Sequence, residues 1–130
     1  MPNPRVSVVI VNWKTPALLA RCLDSIKLEP QADSFEIWVV DNDSGDESVE
    51  MLKTRYSYVH LIENKDNLGF SKACNQAIPE SKGDFVLLLN PDTEVKDGAI
   101  GKLSDFLVEH PECGAVGPKV LNTDGTLQLA

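Results

Sequence analysis

No apolar run in the 130 residues approaches the roughly 18 needed to cross a bilayer, and hydrophobic residues make up an ordinary 42% of the chain. The sequence therefore reads as one soluble domain with a real core and no second domain. Basic residues are scarce: 12 Lys and Arg against 20 Asp and Glu leave a net charge of −8. That argues against a nucleic-acid partner, which would need a basic face to neutralise backbone phosphates. Cysteine is limited to Cys22, Cys74 and Cys113, an odd number, far apart and without metal-ligand spacing. Reduced thiols in a cytoplasmic protein are expected. The start, MPNPRVSVVIV, has no charged leader or cleavage site, so no signal peptide is expected. The turn Asn12-Trp13-Lys14-Thr15 contains no glycine, which rules against a dinucleotide fingerprint or a glycine loop wrapped around phosphate.

What is present is an alternation of strands and helices. VSVVIV, from Val6 to Val11, is a β-branched run suited to a buried first strand. Thr15-Pro16 should open a helix, with threonine as cap and proline at the first position, and Leu19, Cys22, Leu23 and Ile26 form its apolar face. FEIWVV, from Phe35 to Val40, is a second strand that delivers Asp41 to its carboxyl end. Asp46 caps a short helix carrying Val49, Leu52 and Tyr56, and residues 58–62 form a third strand. A helix from Gly69 to Ile78 places Phe70, Ala73, Cys74 and Ala77 on one side and stops at Pro79. Phe85 to Leu89, five unbroken apolar residues, reads as a central strand covered on both faces. Asp97 should cap a last helix with Ile100, Leu103 and Leu107 inward. Residues 114–121 suggest an edge or irregular strand, and Asn122 to Gly125 a turn into a hairpin.

Such an order predicts parallel strands with helices on both faces and right-handed crossovers. The carboxyl ends of the strands then share one rim, where ligands bind in open α/β sheets. Asn12, Asp41 and Asp92 should converge there. Taken alone, Asn90-Pro91-Asp92 is ordinary turn chemistry, yet a carboxylate at that rim is also well placed to hold a hard cation.

The segments VSVVIVNW, WVVDNDSGDES, NKDNLGFSKACNQAI, FVLLLNPDTEV and GAVGPKVLNTDG, in this order and spacing, resemble the nucleotide-binding half of a family 2 glycosyltransferase. The likeness is to the GT-A fold, an open, mostly parallel Rossmann-like sheet, and to rhamnosyltransferase-type members. The resemblance implies one domain over residues 1–130, truncated after its nucleotide-binding half and lacking the acceptor-binding part. It assigns base and ribose binding to Val11, Asn12 and Asp41. A carboxylate accepts the ring N3 hydrogen of uracil or thymine, which cytosine lacks, so a UDP- or dTDP-sugar is favoured, while guanine also has ring donors. A turn or capping role is the structural alternative for Asp41.

Asn67, Gly69, Ala73 and Asn75 fit the family's N-x-G-x-x-x-A-x-N pattern, in which a helix start approaches the nucleotide. Asn75 suits a structural hydrogen bond equally well. Ala77 stands where the family often has glycine. Asn90-Pro91-Asp92 occupies the place of the D-x-D metal motif, with Asn90 replacing the first acid and Asp92 as the charged ligand for Mg²⁺ or Mn²⁺. Implied too are inverting transfer of a hexose such as rhamnose to a glycan or lipid-linked acceptor, and a place in the cytoplasm or at the inner membrane face. The catalytic base belongs beyond residue 130; Glu94 and Asp97 are not assigned that role. Apolar Leu127 and Leu129 suggest self-association into a homo-oligomer. The competing reading is a non-catalytic nucleotide-sensing or interaction domain on the same fold.

Overall fold

The computed structural model describes residues 3–129; Met1 and Pro2, at the start of the stretch read as leaderless, lie outside them. Four strands, β1 (Val6–Asn12), β2 (Phe35–Asn42), β3 (His60–Asn64) and β4 (Phe85–Leu89), form one parallel sheet in the order β3-β2-β1-β4. Between and after them run α1 (Pro16–Lys27), α2 (Ser48–Arg55), α3 (Phe70–Ala77) and α4 (Ala99–Glu109). Alternation along each strand sends successive side chains to opposite faces. Val8, Ile10, Ile37 and Val39 meet Leu19, Cys22, Leu23 and Ile26 of α1, Leu52 of α2 and Ile100 of α4 on one face. On the other, Val9 and Val40 meet Ala73, Cys74 and Ala77 of α3. Each fully buried aliphatic side chain of this kind contributes about 1.5–3 kcal/mol relative to exposure. The doubly covered parallel sheet expected from the sequence is therefore present.

Three local expectations are corrected. β4 is an edge strand, not a central one: among the described residues it pairs with β1 alone, and none of its side chains joins the cluster under α3. Phe85, Leu87 and Leu89 pack inward, while Val86 and Leu88 are 42% and 47% exposed. α4 is capped by Gly98 rather than Asp97, and the Gly98 amide donates to Glu29 Oε2 at 3.1 Å, a carboxylate delivered from just past the end of α1. Thr15 makes no capping hydrogen bond; its hydroxyl donates to Asn12 Oδ1 at 2.8 Å, while Pro16 does take the first helical turn. Residues 114–120 are irregular, and Leu121 and Leu127 form an isolated antiparallel bridge across the 122–125 turn.

At the opposite, amino-terminal rim, Glu36 is held in place although its side chain is only 10% exposed. Ser7 Oγ, the Lys82 amide and Trp38 Nε1 donate to it at 2.7, 2.6 and 2.8 Å. Burial alone would push this carboxyl up, but those three donors, with His60 nearby, outweigh it and hold Glu36 below the ordinary carboxylate value. A folded-state value below the unfolded one means that the contribution is present above the unfolded pKa and is lost as pH falls through the folded one. Glu36→Gln should therefore lose part of the acid-side slope of stability, as urea titrations between about pH 3 and 6 would detect. A slope identical to that of the wild type would contradict the assignment.

Gly83 sits against the same cluster. A Cβ there would lie 2.5 Å from the Ser7 backbone nitrogen and 2.9 Å from the Val6 carbonyl carbon. Both atoms belong to the Val6–Ser7 peptide of β1, so backbone as well as the Ser7 hydroxyl would have to shift. Gly83→Ala is expected to cost about 2–3 kcal/mol by overpacking, seen as a lower urea midpoint; an unchanged midpoint would refute it.

Candidate donor-binding rim

In register, Asn12 pairs with Asp41 across β1 and β2, and Ile10 with Leu89 across β1 and β4. The sheet thus brings Asn12, Asp41 and the 90–92 turn to one rim, as the sequence implied. β2 and β4 flank β1, so about 10 Å separates β2 from β4.

Asp41 is 2% exposed and Asn12 is fully buried. Asp41 Oδ1 accepts from Asn12 Nδ2 at 2.9 Å and from Ser44 Oγ at 2.7 Å, and Oδ2 accepts from the Ser44 amide at 3.1 Å. The Lys14 amide donates to Ser44 Oγ at 2.9 Å, which ties the β1 loop to the β2 loop. An ionised carboxylate has about four lone-pair sites, so Oδ2 keeps an acceptor direction beyond its bond to Ser44. The Asn12 side chain is occupied on both ends, by Asp41 and Thr15, and acts through Asp41. Val11 lies on the α3 side, partly buried against Val9 and Val40. Trp13, exposed at the rim, has Lys14 Nζ over its ring at 4.9 Å.

Asn67 and Gly69 are exposed on the loop before α3, and Asn67 Oδ1 accepts from the Gly69 amide at 2.9 Å. Gly69 has φ +82 and precedes the first turn of α3, a conformation that side chains disfavour. Ala73, by contrast, is not brought to the rim: it is wholly buried beneath α3 against the sheet, where its small side chain sets the approach of helix to sheet. Asn75 is exposed.

The turn after β4 leaves Asn90 and Asp92 exposed. Thr93 Oγ1 donates to the Asn90 carbonyl at 2.7 Å, Cys22 Sγ approaches the same oxygen at 3.9 Å, and Ser25 Oγ accepts from the Val95 amide at 2.9 Å. α1 thus anchors the turn from below. Burial pushes the Cys22 thiol up to about 11, with Asp92 and Glu94 adding to the rise, so it stays neutral and structural. Asp92 forms no ion pair with lysine or arginine among the described residues. No group of three His, Cys, Asp or Glu side chains among them is arranged as a metal cage. A single exposed carboxylate among oxygen donors fits Mg²⁺ or Mn²⁺, which keep waters and take phosphate oxygens; it does not fit a structural zinc site.

Sequence reasoning missed Asn42 and Asn64. Both strands run two residues past their apolar stretches because these amides find partners across the ladder, where Asn42 pairs with Asn64.

A parallel sheet with helices on both faces and polar groups gathered at its carboxyl rim defines an open α/β domain of the kind that binds ligands at that rim. Residues 7–129 match the model of glycosyl transferase family 2, and the chain belongs to that family. It is 30% identical over 131 residues to N-acetylglucosaminyl-diphospho-decaprenol L-rhamnosyltransferase of Mycobacterium tuberculosis, an alignment that covers 92% of this chain and 42% of that protein. Its fold is similar to that of S. aureus TarS 1-349 in complex with UDP, with a TM-score of 0.72, 22% identity, and coverage of 82% of this chain and 33% of that one. The mannosyltransferase PcManGT from Pyrobaculum calidifontis, in complex with GDP-Man and Mn²⁺, gives a TM-score of 0.72 at 23% identity with the same coverage of each. The chain thus spans less than half the length of these proteins. Among the described residues, no helix is long and apolar enough to cross a membrane.

Proposed function

We propose that this chain is the donor-binding part of an inverting glycosyltransferase that takes a UDP- or dTDP-sugar with Mg²⁺ or Mn²⁺. The supporting observation is the shared rim: a buried carboxylate, Asp41, and an exposed one, Asp92, lie on opposite sides of β1. About 10 Å between β2 and β4 is the scale over which a nucleoside diphosphate extends from base to pyrophosphate. In this reading Asp41 Oδ2 accepts the pyrimidine N3–H, with Asn12 and Ser44 holding the carboxylate still. Backbone at Val11 and Asn12 borders the base and ribose, and the loop carrying Asn67 and Gly69 closes the other side. Asp92, with Asn90 beside it, faces the pyrophosphate. A bound Mg²⁺ or Mn²⁺ would supply Lewis-acid neutralisation of the charge that develops on the departing diphosphate.

The acceptor-binding part and the base belong outside these 130 residues, so the isolated chain binds donor without transferring its sugar. The acceptor is a glycan or a lipid-linked glycan, in keeping with the name of the mycobacterial relative. Calorimetry with UDP, dTDP, GDP and CDP, each with and without Mn²⁺, tests the reading. Metal-dependent binding of UDP or dTDP, with CDP much weaker, is expected. Equal binding of all four without metal would overturn it in favour of a nucleotide-sensing module, and robust sugar transfer by the chain alone would overturn the division of labour.

A further inference from the structure

Asn42 and Asp41 are adjacent on β2 and so point to opposite faces of the sheet. Asp41 serves the α1 side; Asn42, only 2% exposed, serves the α3 side. Its Nδ2 donates to the Gly69 carbonyl at 3.1 Å, and its Oδ1 accepts from Asn64 Nδ2 at 3.0 Å and from the Leu68 amide at 3.5 Å. Asn64 and Gln76 exchange two further amide bonds, each 2.8 Å, which joins the end of β3 to α3. The loop these bonds hold, residues 65–69, is exposed throughout and buries no side chain of its own. Its position depends on the amide network.

We infer that Asn42 is a positioning residue for the donor site, aiming the start of α3 at the ligand by gripping the Gly69 carbonyl. The inference rests on the donor reading above. In a trans peptide the carbonyl and the following N–H point in opposite directions, and no peptide here is cis among the described residues. With the Gly69 carbonyl turned to Asn42, the Phe70 amide is turned away from it. The first amides of a helix have no partner within the helix, and Phe70, Ser71 and Lys72 are all exposed. The Gly69 amide is already taken by Asn67. Those next in line are therefore open to the oxygens of the donor's base or ribose, in an orientation set by a side chain that does not itself reach the ligand.

The test compares UDP affinity with Mn²⁺ and melting temperature in the wild-type chain, Asn42→Ala, Asn64→Ala, the double variant, and Ile37→Val, a core change far from the loop. Amide hydrogen exchange over residues 68–72 is followed in parallel. Asn42→Ala should weaken UDP at least about tenfold and speed exchange at 68–72, whereas Ile37→Val lowers the melting temperature but leaves affinity unchanged. Because both amides belong to one network, the double variant should bind about as well as Asn42→Ala alone. Should Asn42→Ala prove too unstable to assay, the partly exposed Asn64→Ala gives the same readout with a smaller loss. Wild-type affinity in Asn42→Ala or Asn64→Ala, or an equal loss in Ile37→Val, overturns the positioning role alone. No UDP binding by the wild type overturns the donor reading and the positioning role together.

Discussion

Asp92→Ala should abolish the Mn²⁺-dependent part of UDP or dTDP binding, lowering affinity about 100-fold, or roughly 2.8 kcal/mol, to the level seen without metal. Asp92 is the exposed acid of the 90–92 turn, and its bonds to the rest of the chain are few: the turn is held by Thr93, Cys22 and Ser25, through backbone groups of Asn90 and Val95. Deleting the carboxylate therefore removes a ligand without removing a support, and stability should change by no more than about 0.5 kcal/mol. Calorimetry combined with urea denaturation separates the two effects. Retained metal dependence in Asp92→Ala, with the fold intact, would move the cation site elsewhere.

Asp41→Ala should show the reverse balance, with a large loss of stability accompanying the loss of nucleotide. Three donor bonds end on this buried carboxylate, from Asn12 Nδ2, Ser44 Oγ and the Ser44 amide. Removing it strands donors that are already out of water, each at about 1–3 kcal/mol. A total near 3 kcal/mol or more is a large fraction of the 5–15 kcal/mol that typically separates folded from unfolded chains. Asp41→Asn keeps the shape and is expected to be milder in stability, yet to lose the preference for UDP and dTDP over CDP, since an amide nitrogen would stand where an acceptor is needed. Urea midpoints and competition between UDP and CDP check both variants. An Asp41→Asn chain that still rejects CDP would remove Asp41 from base recognition.

The two variants also show which parts of the molecule could be read from its residues. β1 and β2 were legible because VSVVIV and FEIWVV are β-branched and apolar, and α1 because its apolar residues recur at helical spacing. Parallel topology then required Asn12, Asp41 and the 90–92 turn to share a rim. The exposure of β4 was not legible: five consecutive apolar residues state what a strand could bury, not whether a helix or another strand arrives to cover it. The cap of α4 was missed because its carboxylate, Glu29, comes from 69 residues upstream, beyond any local capping pattern. Nothing local in the sequence sets Asn42 or Asn64 apart, since asparagine is common in turns and loops. Only the register that sets them side by side turns them into a part-buried network. Ala73 fitted a family pattern, but the helical face that buries Ala77 and Cys74 buries it too.

The most direct measurement is a crystal structure of this chain soaked with UDP or dTDP and Mn²⁺. The pyrimidine ring edge is expected against Asp41, with its N3 within hydrogen-bond distance of Oδ2, and the ion at Asp92 beside the pyrophosphate beyond β4. A nucleotide bound at the amino-terminal rim near Glu36, or an ion that leaves Asp92 free, would contradict it.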